Sequence, residues 1–204
     1  MTRALILVDL QNDFMPGGAL GVPEGDLVVP VANALKERFE LVVATQDWHP
    51  PNHGSFASNH PGAKPGDLGE LGGLPQIYWP DHCVQGTHGS WFHRDLDLNG
   101  VTLFRKGTDP GIDSYSAIFD NGHRKATGLG DFLRSRGARE AVILGLATDY
   151  CVKFTVRDVR ELGLEVTVVE DGCRGVDLIA GDSARAFDAM RAAGARIVGS
   201  AALR

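Results

Sequence analysis

The chain has 204 residues, 43% hydrophobic and 23% charged, with a formal net charge of -6. That length suits one domain with a full core. The acidic balance, with no basic stripe, argues against nucleic-acid binding, and no apolar run approaches the ~20 residues that span a bilayer.

The first apolar run, Ala4–Val8, reads as a strand; it is too short for a signal peptide and ends at Asp9. Leu27–Phe39 reads as a helix with Val31, Leu35 and Phe39 on one face, and Leu41–Thr45 as the next strand. From Asp47 to Gly100 no strand is expected, and glycine and proline are frequent. A stretch that long without regular structure is usually functional, although a tolerated surface insertion is the alternative. The rhythm then resumes. Val101–Phe104, Ala141–Leu146, Glu165–Val169 and Ala195–Val198 read as strands. Gly130–Arg136, Val152–Gly163 and Ala180–Ala193 read as helices, with glycine at or just after each end. Several strand runs are continuously apolar, as buried parallel strands are. The β-α-β alternation predicts a parallel sheet covered by helices. No internal repeat is found.

Four chemically capable residues follow these strands. Asp9 follows Val8, Asp47 follows Leu41–Thr45, Lys106 follows Val101–Arg105, and Cys151 lies just beyond Leu146. The strand ends of a parallel sheet share one edge, and ligands bind outside it. These residues should therefore converge. Cys151 opens a helix, where the dipole favours a thiolate, and Lys106 would add to that. Backbone N–H groups of the turn could receive an oxyanion, with Asp9 as proton acceptor and donor. On spacing alone, a buried structural cysteine remains the alternative, as does a solvated Lys106 or a capping Asp9. The other cysteines are Cys83 and Cys173. An odd count without CxxC spacing speaks against a disulfide framework and for a reducing cytoplasm.

Six of the seven histidines fall between His49 and His93. Asp47 and His49 share a face if extended, and His82 comes from a segment stiffened by Trp79 and Pro80. One aspartate and two histidines would leave positions open on a metal, with zinc, iron or manganese all compatible. His53 is an open fourth ligand. His60, His88, His93 and His123 read as ordinary polar loop residues.

In these motifs the chain resembles the bacterial nicotinamidases, within the isochorismatase-like cysteine hydrolases. The resemblance runs through Ala4–Phe14, Thr45–Pro50, Trp79–Val84, Arg105–Gly107, Asp113–Ala117, Gly145–Val152 and Glu170–Gly175, in order along nearly the whole chain. It implies a single α/β domain, a three-layer α/β/α fold around a mostly parallel six-stranded sheet, with a metal-binding insertion at about 47–100. It implies Asp9, Lys106 and Cys151 as a catalytic triad. It implies Asp47, His49 and His82 as ligands of one divalent metal, zinc first and iron or manganese next. A cis peptide between Ala147 and Thr148 would help build an oxyanion hole with the Cys151 N–H. Phe14 and Trp79, with Tyr115 as a weaker candidate, would wall a flat pyridine ring. The implied substrate is nicotinamide, with pyrazinamide a related amide, in a cytoplasmic enzyme of NAD salvage. Self-association is left open. The competing readings are an isochorismatase-like hydrolase of another small substrate, a metal-dependent binding protein with an inert cysteine, and a metal-centred hydrolase whose bound water is the nucleophile.

Overall fold

Five consecutive apolar residues, Ala4 to Val8, are fully buried and leave no face for solvent, so β1 (Thr2–Val8) lies inside the sheet. The computed structural model describes residues 2–203. β1 pairs in parallel with β2 (Leu41–Asp47) on one side and β6 (Ala138–Leu146) on the other. β5 (Thr102–Lys106) lies outside β2, and β7 (Glu165–Arg174) and β8 (Arg196–Val198) lie outside β6. The six-stranded order is β5-β2-β1-β6-β7-β8, and every pair in it is parallel.

The chain steps one way from β1 to β2 and β5, and the other way from β6 to β8. Right-handed crossovers therefore put α1 (Val28–Lys36) on one face. They put α2 (Leu129–Ser135), α3 (Lys153–Glu161) and α4 (Asp182–Ala192) on the other. α1 packs on β6 and β7, and α3 packs on α4 and β7. The strand order reverses between β1 and β6, and a crevice opens there at the strand ends.

Three differences from the sequence reading concern the site. First, β2 and β5 run on through polar residues to Asp47 and Lys106, which are register partners. Second, the stretch expected to hold no strand contains a hairpin, β3 (Leu68–Leu71) and β4 (Leu74–Ile77). Gly72 and Gly73 form its turn with φ of 60° and 77°, which residues with a Cβ rarely adopt. Third, the cis peptide joins Leu146 to Ala147, one bond earlier than expected. β6 pairs with β7 as far as Leu146, so the chain changes direction immediately at the strand end.

Candidate active site

Lys106 Nζ is the hub of the polar cluster. It lies 3.0 Å from Asp9 Oδ2, 3.1 Å from Asp47 Oδ1 and 3.5 Å from Cys151 Sγ, and donates to the Ser114 carbonyl at 2.9 Å. All four groups expected at the sheet edge thus meet, and all are buried. Strand register explains two of them. Asp47 and Lys106 are paired on adjacent strands, so their side chains leave the sheet on the same side. Asp9 turns out of β1 with φ 50°, and Thr45 fixes it: the Thr45 hydroxyl donates to Asp9 Oδ1 at 2.6 Å and accepts the Asp9 N–H at 3.2 Å.

Burial lifts the Asp9 carboxyl above its usual range despite Lys106 beside it. Asp47 is buried too, but His49 and Lys106 overcome that and hold it well below the carboxylate range. Burial works against the Lys106 ammonium, yet Asp47 and Asp9 raise it well above the ordinary lysine value. The cysteine differs from the sequence reading. Cys151 sits in a π-helical turn, Thr148–Val152, ahead of α3. Burial pushes its thiol well above the ordinary range against the pull of Lys106, with Asp9 and Asp47 adding to the rise. That rise favours the thiol form, so attack by the sulfur calls for a base to take its proton. The raised Asp9 is suited to that task.

Asp47, His49 and His82 form a buried trio whose ligating atoms lie within 4.8 Å of one another. Both imidazoles are oriented. His49 Nδ1 meets the Gly107 carbonyl at 2.9 Å and His82 Nδ1 meets the Pro80 carbonyl at 2.7 Å. Each ring thereby donates through Nδ1 and turns Nε2 toward Asp47, at 3.1 and 3.7 Å from Oδ2. Gly107 has φ 65°, and a Cβ there would overlap His49 and come within 2.8 Å of Asp47 Oδ1. This donor set fits a divalent cation. His53 lies beside His49, with ring centroids 4.1 Å apart, but its ligating atom groups with His49 and Asp113 in a second trio. His123 groups with Asp158 and Glu161 at the surface, apart from the pocket, and His60 stacks on Tyr78.

A pocket opens over Cys151, lined by Phe14, Trp79, Tyr115, Ala147, Asp47 and His82 among others. The three expected aromatic walls are all present. Trp79 Nε1 donates to the Tyr115 hydroxyl at 3.2 Å, which fixes two of them. Thr148 is buried at the start of the turn, and the Ala147 carbonyl accepts the Tyr150 and Val152 N–H groups. Sequence reasoning missed Leu20, Tyr150 and Val176 as further walls. It also missed Gln11, Gln76 and Asp113. Asp113 also lines the pocket, and Gln76 donates to its Oδ2 at 2.9 Å. Asp113 and Gln11 stood inside the quoted motifs, and their polar character within a buried segment was the available signal.

Comparison with known proteins agrees. The Isochorismatase domain family matches residues 3–202. Escherichia coli nicotinamidase is 56% identical over 200 residues, covering 96% of this chain and 93% of that one. A nicotinamidase/pyrazinamidase structure from Acinetobacter baumanii superposes with a TM-score of 0.94 at 44% identity, covering 98% and 97% of the two chains. A Pyrococcus horikoshii pyrazinamidase solved in complex with zinc superposes with a TM-score of 0.79 at 38% identity, covering 98% and 99%. The chain belongs to the isochorismatase family of hydrolases.

Proposed function

We propose the route by which this amidohydrolase converts nicotinamide to nicotinate and ammonia. Asp9 takes the Cys151 thiol proton, and the sulfur attacks the amide carbon. The oxyanion is received by backbone N–H groups of the Ala147–Thr148 turn and of Cys151. Asp9 returns the proton to the nitrogen, ammonia leaves, and a nicotinoyl thioester remains on Cys151. Water, deprotonated by Asp9, then attacks the thioester carbon, and nicotinate departs as the Cys151 thiol is restored. Lys106 stays protonated and balances whichever of Asp9 and Cys151 carries negative charge. The observation that carries this reading is the meeting of Cys151 Sγ, Lys106 Nζ and Asp9, with Cys151 itself lining an aromatic-walled pocket.

A divalent cation held by Asp47, His49 and His82, zinc in our reading with iron or manganese as alternatives, would supply a Lewis-acid site that grips the pyridine nitrogen. His49 and His82 keep their Nε2 lone pairs aimed there through their Nδ1 contacts. Phe14, Trp79 and Tyr115 hold the ring flat. Residues 1–204 act as one hydrolase domain with the metal-binding insertion at about 47–100. Pyrazinamide, an amide on a similar ring, fits the same scheme. Among the described residues no helix is long and apolar enough to cross a membrane, and all three cysteines are free, which supports a cytoplasmic setting. The test is ammonia release from nicotinamide, with and without chelator, for wild type and Cys151→Ala. Release by wild type alone, lost to chelator and restored by metal, is expected. Release that survives Cys151→Ala overturns the thioester route.

A further inference from the structure

We propose that Asp13 is a positioning residue that sets both the turn between the metal ligands and the apolar wall formed by Leu20. Its metal half rests on the metal reading above. Asp13 lies in the 3-10 turn Asn12–Phe14 that follows β1. Its Oδ2 accepts the Cys83 N–H at 2.7 Å, its Oδ1 accepts the Ala19 N–H at 3.3 Å, and its carbonyl accepts the Leu20 N–H at 3.0 Å. Two segments distant from each other in sequence are therefore fastened to one residue.

The first segment carries the metal ligands. Cys83 follows His82, is fully buried, and holds φ at 48°. A residue with a Cβ stays in that left-handed region only where its surroundings enforce it. Asp13 grips Cys83 by its N–H, and the Cys83 carbonyl in turn accepts the His49 N–H at 3.1 Å. The Cys83 backbone thus spans His82 and His49, with Asp13 fixing its outer end. The second segment supplies Leu20 to the pocket. Gly18 lets this loop lie against the turn, since a Cβ there would meet the Asn12 and Asp13 carbonyls.

The chemistry requires a carboxylate. Both fastened partners are N–H donors, so two acceptor oxygens are needed. An asparagine offers one acceptor and sets its own N–H against the other donor. A second handle comes from Gly89, in the 3-10 turn His88–Ser90, which packs directly on the Asp13 carboxylate. A Cβ at Gly89 would overlap both carboxylate oxygens, so Gly89→Ala displaces the group while Asp13 itself is intact.

The experiment compares zinc-loaded wild type, Asp13→Ala, Asp13→Asn and Gly89→Ala. It reads the chelator concentration that strips half the zinc, KM and kcat for nicotinamide, and the folded fraction by circular dichroism. Loss of a group bonded directly to a metal ligand typically weakens metal affinity about 10- to 100-fold, and Asp13 acts one residue further back, so we expect the lower end, about 10-fold. Asp13→Ala and Gly89→Ala should both release zinc at correspondingly lower chelator and raise KM several-fold, with kcat per zinc-loaded molecule falling less. Asp13→Asn should lie between them and wild type. A general packing role would lower the folded fraction and leave KM and the chelator midpoint of the folded molecules unchanged, and that result overturns the proposal. Wild-type protein that holds no divalent ion would overturn the metal reading itself, and no variant is needed to see it.

Discussion

The Gln11 side chain pairs with the Asp47 backbone as a neighbouring strand would. Its Oε1 accepts the Asp47 N–H at 2.7 Å and its Nε2 donates to the Asp47 carbonyl at 2.8 Å. The β1–β2 ladder ends at the Leu7–Ala44 pair, so Gln11 continues it by side chain past the end of β1. Gln11→Leu would leave a buried N–H and a buried carbonyl unpaired, at about 1–3 kcal/mol for each group. We expect about 2–4 kcal/mol of lost stability by urea titration, together with weaker zinc retention. An unchanged urea midpoint would refute this.

Gly107→Ala tests the metal cradle from its other side. The left-handed backbone and the overlap with His49 both oppose a side chain here. The expected loss is about 1–3 kcal/mol of stability from the backbone alone, and more if His49 swings away. Zinc content measured after dialysis should fall well below that of wild type, and KM for nicotinamide should rise. Stoichiometric zinc in Gly107→Ala would show that the cradle tolerates a methyl group.

The three cysteines should differ sharply towards a small electrophile. Burial raises all three thiols, but Cys83 and Cys173 lie away from the pocket. Cys151 lines the pocket, and Asp9 and Lys106 can handle its proton. Brief treatment of folded protein with iodoacetamide, followed by peptide mass spectrometry, should find the label at Cys151. Nicotinate should slow the labelling, and labelled protein should release no ammonia. Activity that survives stoichiometric labelling of Cys151 would instead favour a metal-bound water as nucleophile.

His53 gives the metal-free protein a defined pH dependence. Burial, with His49 nearby, pushes its imidazole down to about 4 from 6.5. The unfolded chain therefore binds this proton more tightly than the folded one. The contribution of His53 should be full above pH 6.5, decline as pH falls, and level off below about pH 4. The slope is about 1.4 kcal/mol per pH unit and the whole effect about 3 kcal/mol. Urea titrations of chelator-treated protein between those limits should show the slope, and His53→Gln should flatten it. Parallel curves for the two proteins would rule out His53 as its source.

Much of this was legible in the sequence because burial on both faces leaves a simple record. Ala4–Val8 and Ala141–Leu146 are continuous apolar runs, and a polar residue just past such a run marks the sheet edge. That logic located Asp9, whereas Lys106 ends β5, a largely exposed edge strand, and was found from the β-α-β rhythm. The strand-to-helix pattern placed Cys151 at this edge and gave the downward pull of Lys106 on its thiol, but not the burial that outweighs that pull. A helix terminus can be read from pattern, whereas complete burial beside two carboxylates depends on chains distant in sequence. The β3–β4 hairpin was missed although Gly72-Gly73 between short apolar runs is a hairpin signal. The strands are only four residues each and mostly half-exposed, so their alternation is faint. Gln11 and Asp13 looked like parts of a polar turn, because their partners Asp47 and Cys83 are many residues away.

The pairing of Asp47 with Lys106 across β2 and β5 divides the molecule into a constant part and a replaceable one. The charge balance around Cys151 depends on strand alignment, so it survives any change in the excursion between β2 and β5 that leaves both strands intact. That excursion carries His49, Trp79 and His82, which in the function proposed above share the gripping of the ring with Asp47, Phe14 and Tyr115. Evolution or a protein engineer could therefore exchange substrate preference as a cassette, keeping the cysteine chemistry of the sheet edge untouched.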